Sequence, residues 1–310
     1  MVTARRAAGE DGGDRHMRKA HWERNLLELI RRTATDLPKD VEVGIRRAWR
    51  QEKRGSHAWW TLGVILENAE LARKNSTPIC QDSGTLIFHF RVPVGFDTNA
   101  LVAHARAAVS RATRLGHLRE NAVDALSGAS YPTNVAPASP VFYFDQGARK
   151  TVDVRLVMKG GGCENAGRQY SLPDANLGAD RDLEGVRRCV LDAVWQTQGR
   201  ACAPTILGVC VGGDRASGSA YAREQFLRKL CERSRVRALA RMEETLLKEI
   251  RRLDIGPMGL GGKSTVLAVK LSALSRLPAC YFVTVSFMCW ALRRRGAVMG
   301  REGGVHRWLY

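Results

Sequence analysis

Apolar side chains recur at helical spacing from the first tenth of the chain onward. Trp22, Leu26, Leu27 and Ile30, followed by Val41, Ile45 and Trp49, predict two amphipathic helices. A third covers about 57–74, through Trp60, Val64, Ile65 and Leu71, and stops at the polar break Asn75-Ser76-Thr77-Pro78. The period then falls to two. Over 85–94, Leu86, Phe88 and Phe90 share one face and Ile87, His89 and Arg91 the other, which predicts a strand.

Beyond that strand the two periods alternate. Helices are predicted over 98–115, 183–198, 216–231 and 235–253, and strands over 141–144, 152–158, 204–211, 265–271 and 281–287. Glycine runs follow or precede strands at Gly160-Gly161-Gly162, Gly212-Gly213 and 256–262. The pattern predicts an α+β protein: N-terminal helices followed by a mixed α/β body, one compact unit with its Gly-rich turns at one end. Residues 1–19 read as a disordered lead-in, 20–300 as the folded body and 301–310 as a tail.

Composition excludes the fibrous and disordered classes: 45% of the 310 residues are hydrophobic and 26% charged. Charge changes the picture more. The 49 Lys and Arg against 31 Asp and Glu give a net +18, and +11 of it lies in 228–310. Such a field favours an anionic partner, whether nucleic acid, an acidic subunit or a small polycarboxylate. The longest apolar run, 279–292, is too short to span a bilayer, and 1–19 lacks the apolar core of an export signal. A cytoplasmic setting follows, with the eight cysteines as thiols or metal ligands.

The motifs narrow this further. Gly259-Leu260-Gly261-Gly262-Lys263-Ser264 invites a phosphate-loop reading, but Pro257 stands where that loop needs its first glycine. These glycines instead let the backbone approach an anion or another segment. Gly160-Gly161-Gly162-Cys163 is either a tight turn or a nest of N–H donors for a carboxylate. No two cysteines form Cys-x-x-Cys. Cys189 and Cys231 fall inside predicted amphipathic helices and read as small buried hydrophobes, whereas Cys80, Cys202 and Cys289 fall at element ends. Arg293-Arg294-Arg295 reads as a solvated or partner-facing run. With Trp290 the one aromatic beside it, nucleic acid is the least supported partner.

Several segments together resemble the alpha chain of class I fumarases and the related L-tartrate dehydratases. They are Pro78 to Gly84, His117 to Val123, Lys159 to Asn165, Arg200 to Pro204 with Gly208 to Gly213, Ile255 to Thr265 and Met288 to Arg294, in order. The resemblance implies an iron–sulfur hydro-lyase domain over 20–300, with its Gly-rich turns around a 4Fe–4S cluster held by Cys80, Cys202 and Cys289. It implies that Gln81, Asp82, Arg119 and the backbone at Gly162 bind a small dicarboxylate, with Asp82 beside the departing hydroxyl as the catalytic group. Three thiolates on four irons leave one iron open as a Lewis acid.

It also implies a separate beta subunit carrying the general base, in a hetero-oligomer built on a dimer of alpha chains. The implied reaction is the reversible hydration of fumarate to L-malate. An L-tartrate dehydratase alpha subunit is the alternative, because Cys163 and Cys289-Trp290 fit that pattern too. A non-catalytic cluster-binding subunit is the other, because Leu277 stands where the family has a histidine twelve residues before its last cluster cysteine.

Overall fold

In the computed structural model, residues 7–310 are described, with side chains from Ala20 onward. The lead-in expected over 1–19 lies outside the residues described with their side chains. The helices are α1 (Ala7–Thr35), α2 (Lys39–Gln51), α3 (His57–Asn75), α4 (Thr98–Arg114), α5 (Gly161–Asn165), α6 (Leu183–Thr197), α7 (Arg215–Glu224) and α8 (Arg237–Ile250). The strands are β1 (Thr85–Pro93), β2 (Val141–Gly147), β3 (Val152–Lys159), β4 (Arg168–Ser171), β5 (Thr205–Val211), β6 (Val266–Ala273), β7 (Phe282–Met288), β8 (Arg293–Met299) and β9 (Val305–Leu309). The α+β class holds. The single compact body divides into two units: Met1–Asp36, Ala72–Met158 and Arg293–Tyr310 in one, Leu37–Leu71 and Lys159–Leu292 in the other. Among the described residues no helix is long and apolar enough to cross a membrane.

The first unit is built on a five-stranded sheet in the order β2-β1-β3-β8-β9. Trp22, Leu26 and Ile30 of α1 and Ala105 and Val109 of α4 cover one face, meeting Phe88, Phe90, Val154 and Leu156 from the strands. Phe88, Phe90, Phe142 and Phe144 stack along β1 and β2, with neighbouring centroids 5.3–6.5 Å apart. β8 runs antiparallel to β3, with Leu156 opposite Arg295 and Met158 opposite Arg293.

That placement corrects the reading of the arginine run. Arg293, Arg294 and Arg295 are 2%, 0% and 9% exposed, because β8 is an interior strand and the sheet covers their stems. Arg294 stacks over the Tyr310 ring at 4.6 Å, while Arg295 pairs with Asp36 at 2.6 Å and donates to the Tyr310 carbonyl at 2.8 Å. The segment expected to be a tail supplies β9, antiparallel to β8.

The second unit holds a four-stranded sheet, β4-β7-β5-β6. β5 is buried along its whole length, with β6 parallel on one side and β7 antiparallel on the other. α6 packs through Val186, Val190 and Ala193, and α8 through Leu239, Leu246 and Ile250. α7 stops at Glu224, earlier than predicted, so Cys231 lies in an exposed turn rather than in a helix. The Arg228 guanidinium fixes that turn by reaching Glu243 at 2.8 Å and the Leu271 carbonyl at 3.2 Å. Cys189 is buried on α6 as expected.

Candidate functional site

In the first unit the polar break before β1 meets the loop after α4. Ser83 Oγ accepts the Arg119 backbone N–H at 2.8 Å, joining segments 36 residues apart. The Arg119 guanidinium donates to Gln81 Oε1 at 3.2 Å. Asp82 Oδ1 accepts from Gly84 N at 2.9 Å and from Asn121 Nδ2 at 2.7 Å. Gln81, Asp82 and Arg119 are therefore brought together, with Arg119 and Gln81 exposed.

Two supporting residues escaped the sequence reading. Asn121 orients the Asp82 carboxylate. Asn134, 2% exposed, accepts the N–H groups of Asn121 and Ala122 at 2.7 and 3.1 Å through one oxygen. Its amide nitrogen donates to the Arg119 carbonyl at 2.7 Å and to Thr113 Oγ1 at 3.0 Å. Asn134 has φ 57°, a left-handed conformation that asparagine tolerates better than most residues. An asparagine in a turn-rich stretch is a weak signal, and nothing local marks this one.

In the second unit, sheet topology decides which turns meet. Because β7 is antiparallel to β5 and β6 parallel to it, the start of β5, the start of β6 and the end of β7 share one end of the sheet. Cys202 precedes β5 there and Cys289 follows β7, and the Trp290 N–H donates to the Cys202 carbonyl at 3.2 Å. Cys163, on the first turn of α5, is at the same end. Its thiol donates to the Ala201 carbonyl at 3.6 Å and is hydrogen-bonded to the Cys289 side chain. That thiol contact, with burial and the nearby Cys289 and Cys202 charges, pushes the Cys163 thiol up. Lys159 is fully buried beside this turn. Its ammonium lies 3.0 Å from Glu164 Oε2, an ion pair rather than an aligned hydrogen bond, and burial pulls its pKa down. Arg223 reaches the same oxygen at 3.1 Å. Gly162 is exposed on α5 beside these groups.

The segment 256–262 lies at this end too, and its glycines approach another segment rather than hold an outside anion. Gly256 has φ 68°, and a Cβ there would stand 1.7 Å from the Gly261 carbonyl oxygen. Met258 N donates to the Ala203 carbonyl at 3.0 Å, and a Cβ on Gly199 would stand 2.4 Å from the Met258 oxygen. The amides that a phosphate would need are already taken. Lys263 N and Ser264 N donate to Glu52 at 3.3 and 2.8 Å, and Gly262 N to Asp254 at 3.0 Å. Gly212-Gly213 departs from expectation, lying at the opposite end of β5.

Leu277 is on that opposite side as well. It sits before the start of β7, 70% exposed, and Cys289 follows the strand's far end. Seven residues of strand separate the two ends by about 20 Å. The leucine therefore leaves the thiol turns untouched.

Cys80, half-buried, lies in the first unit, and Cys202, exposed, and Cys289, buried, in the second. None of the eight cysteines, all among the described residues, is in a disulfide. Among the described residues no three His, Cys, Asp or Glu side chains converge on a single ion. The thiols of Cys202 and Cys289 at one sheet end, with cationic Lys159 and Arg223 nearby, are the soft donors and positive surroundings that an anionic iron–sulfur group requires.

The chain is 41% identical over 92% of its length to a putative class I fumarate hydratase of Geobacillus stearothermophilus, but it spans only 56% of that relative. It is 30% identical to a putative L(+)-tartrate dehydratase subunit alpha of Methanocaldococcus jannaschii, over 87% of this chain and 94% of the other. It is 29% identical to the L(+)-tartrate dehydratase subunit alpha of Escherichia coli K12, over 84% and 85%. The family model described as fumarate hydratase (Fumerase) matches residues 23–298, and the chain belongs to that family.

Proposed function

We propose that this chain is the alpha-type subunit of an iron–sulfur hydro-lyase that interconverts fumarate and L-malate. The observation that carries the reading is the sheet end of the second unit, where Cys202 and Cys289 are fixed by the Trp290–Cys202 backbone bond. Cys80, Cys202 and Cys289 would hold a 4Fe–4S cluster. What that group supplies when bound is Lewis-acid chemistry at an iron without a protein ligand.

The chain's own residues do the rest. Arg119 binds a substrate carboxylate through its planar guanidinium, and Gln81 Oε1 sets its orientation at 3.2 Å. The amide of Asn121 and the N–H of Gly84 hold Asp82 Oδ1 and so orient the carboxylate that exchanges a proton with the departing hydroxyl. The backbone at Gly162 contributes a donor to a carboxylate. The word subunit in the names of the tartrate relatives supports a separate beta partner, to which this reading assigns the general base. A dimer of alpha chains in a cytoplasmic hetero-oligomer goes with that reading.

A second reading is L-tartrate dehydration, favoured by how fully the chain spans the two tartrate dehydratase alpha relatives. The test is anaerobic purification, reconstitution with iron and sulfide, addition of the beta partner and assay on fumarate, L-malate and L-tartrate. Broad visible absorbance with fumarate hydration is expected. Turnover of tartrate alone selects the second reading. A colourless protein that hydrates or dehydrates none of these acids sinks both.

A further inference from the structure

Cys163 is the buried cysteine whose neighbours are other thiols. Cys189 and Cys210 are buried in helix and strand, each perturbed mainly by burial. Cys163 is 2% exposed, donates to the Ala201 carbonyl at 3.6 Å and is hydrogen-bonded to Cys289. Cys202 lies within electrostatic range of it.

Counting hydrogens shows what happens when Cys289 binds metal. Two neutral thiols share two S–H hydrogens. The Cys163 S–H has two acceptors within reach, the Ala201 carbonyl and the Cys289 sulfur. A cysteine must give up its proton to bind a metal, which leaves the Cys289 sulfur an acceptor only. Cys163 then holds the one hydrogen between the two sulfurs. A thiolate accepts more strongly than a neutral carbonyl 3.6 Å away, because the bond becomes charge-assisted. Rotation about the Cβ–S bond redirects the hydrogen without moving a heavy atom.

We infer that Cys163 is a positioning residue for the cluster, its S–H donating to the Cys289 sulfur once that sulfur is a metal-bound thiolate. This rests on the cluster reading above. A hydrogen bond to a ligand sulfur withdraws electron density, which stabilises the reduced state and raises the reduction potential. It also orients the ligand, as outer-shell partners of metal sites do.

The test compares the reconstituted full-length chain with Cys163→Ala, Cys163→Ser and, as a control for altering a buried thiol, Cys189→Ser. The readouts are iron and sulfide content, midpoint potential and the rate at which air or ferricyanide generates the three-iron signal in electron paramagnetic resonance. Cys163→Ala is expected to take up the full cluster but at a lower potential, and to lose iron about 10–100-fold faster, the range typical of outer-shell substitutions. Cys163→Ser keeps a donor and falls between, and Cys189→Ser matches wild type. If Cys163→Ala does not fold, Cys163→Ser decides by its potential. A wild-type cluster with potential and lifetime unchanged in the variants overturns this inference alone. A Cys163→Ala chain that folds but binds no cluster makes Cys163 a ligand and also overturns it. A wild-type chain that binds no iron overturns the cofactor reading and this inference together.

Discussion

The side-chain amide of Asn134 is fully employed, accepting two backbone N–H groups and donating to a carbonyl and a hydroxyl. Every one of these contacts ends on α4 or on the loop that carries Arg119 and Asn121. Asn134→Ala strips that loop of its anchor and leaves buried donors unpaired at about 1–3 kcal/mol each. Denaturant titration should show a loss of about 3 kcal/mol, with catalytic efficiency falling further than stability alone explains. Unchanged stability would mean that the loop is held elsewhere. His89 gives a pH test. It is half-buried and stacked on Tyr143, and desolvation with the nearby Arg155 and Arg91 charges drops its folded pKa to about 4 from an ordinary 6.5. As pH falls through 6.5 the unfolded chain takes up a proton that the folded chain refuses. Stability therefore declines between pH 6.5 and 4 and then levels, by up to about 3 kcal/mol. His89→Gln should flatten that part of the stability curve; an unchanged slope would place the titration on another group.

At the scale of elements, strand direction rather than motif content assembles the thiol end. The cysteines at 202 and 289 are 87 positions apart, and they meet because β7 runs antiparallel to β5. The Gly256 segment closes against the Cys202 turn through Met258 and Ala203. A side chain at Gly256 is strained by φ 68° and blocked by the Gly261 oxygen. Gly256→Ala is expected to cost about 3 kcal/mol and, in the reconstituted protein, to lower iron content alongside the melting temperature. Full iron content in a folded variant would show that this segment does not support the thiol turns. The misread elements have a shared cause. β8 begins with three arginines, which local reading assigns to solvent, but an interior strand can bury guanidinium stems when Asp36, the Tyr310 ring and backbone carbonyls receive their heads. β9 is too short, and β4 too polar, to stand out by periodicity alone.

For the whole molecule, a bound cluster adds stability in proportion to how much better it binds the folded than the unfolded chain. Stripping iron from the reconstituted protein with a chelator under anaerobic conditions should therefore lower the melting temperature, while leaving the far-ultraviolet circular dichroism of a folded α+β protein. An identical melting temperature with and without iron would count against cluster binding in the folded state. The +18 charge also divides differently at this scale, since part of the basic C-terminal stretch is internal to the β8–β9 hairpin rather than offered to a partner. By itself the sequence determined the α+β class, the position of most helices and strands, and the family through its ordered segments. It could do so because periodicity and short-range spacing are local properties. Only the tertiary structure decided that the body is two units, that Arg293 to Arg295 are buried, that Leu277 is remote from Cys289, that Cys163 lies against Cys289, and that Asn134 anchors the loop of Arg119. Those facts depend on which strands pair and in which direction, and strand pairing is a contact between residues far apart in the chain.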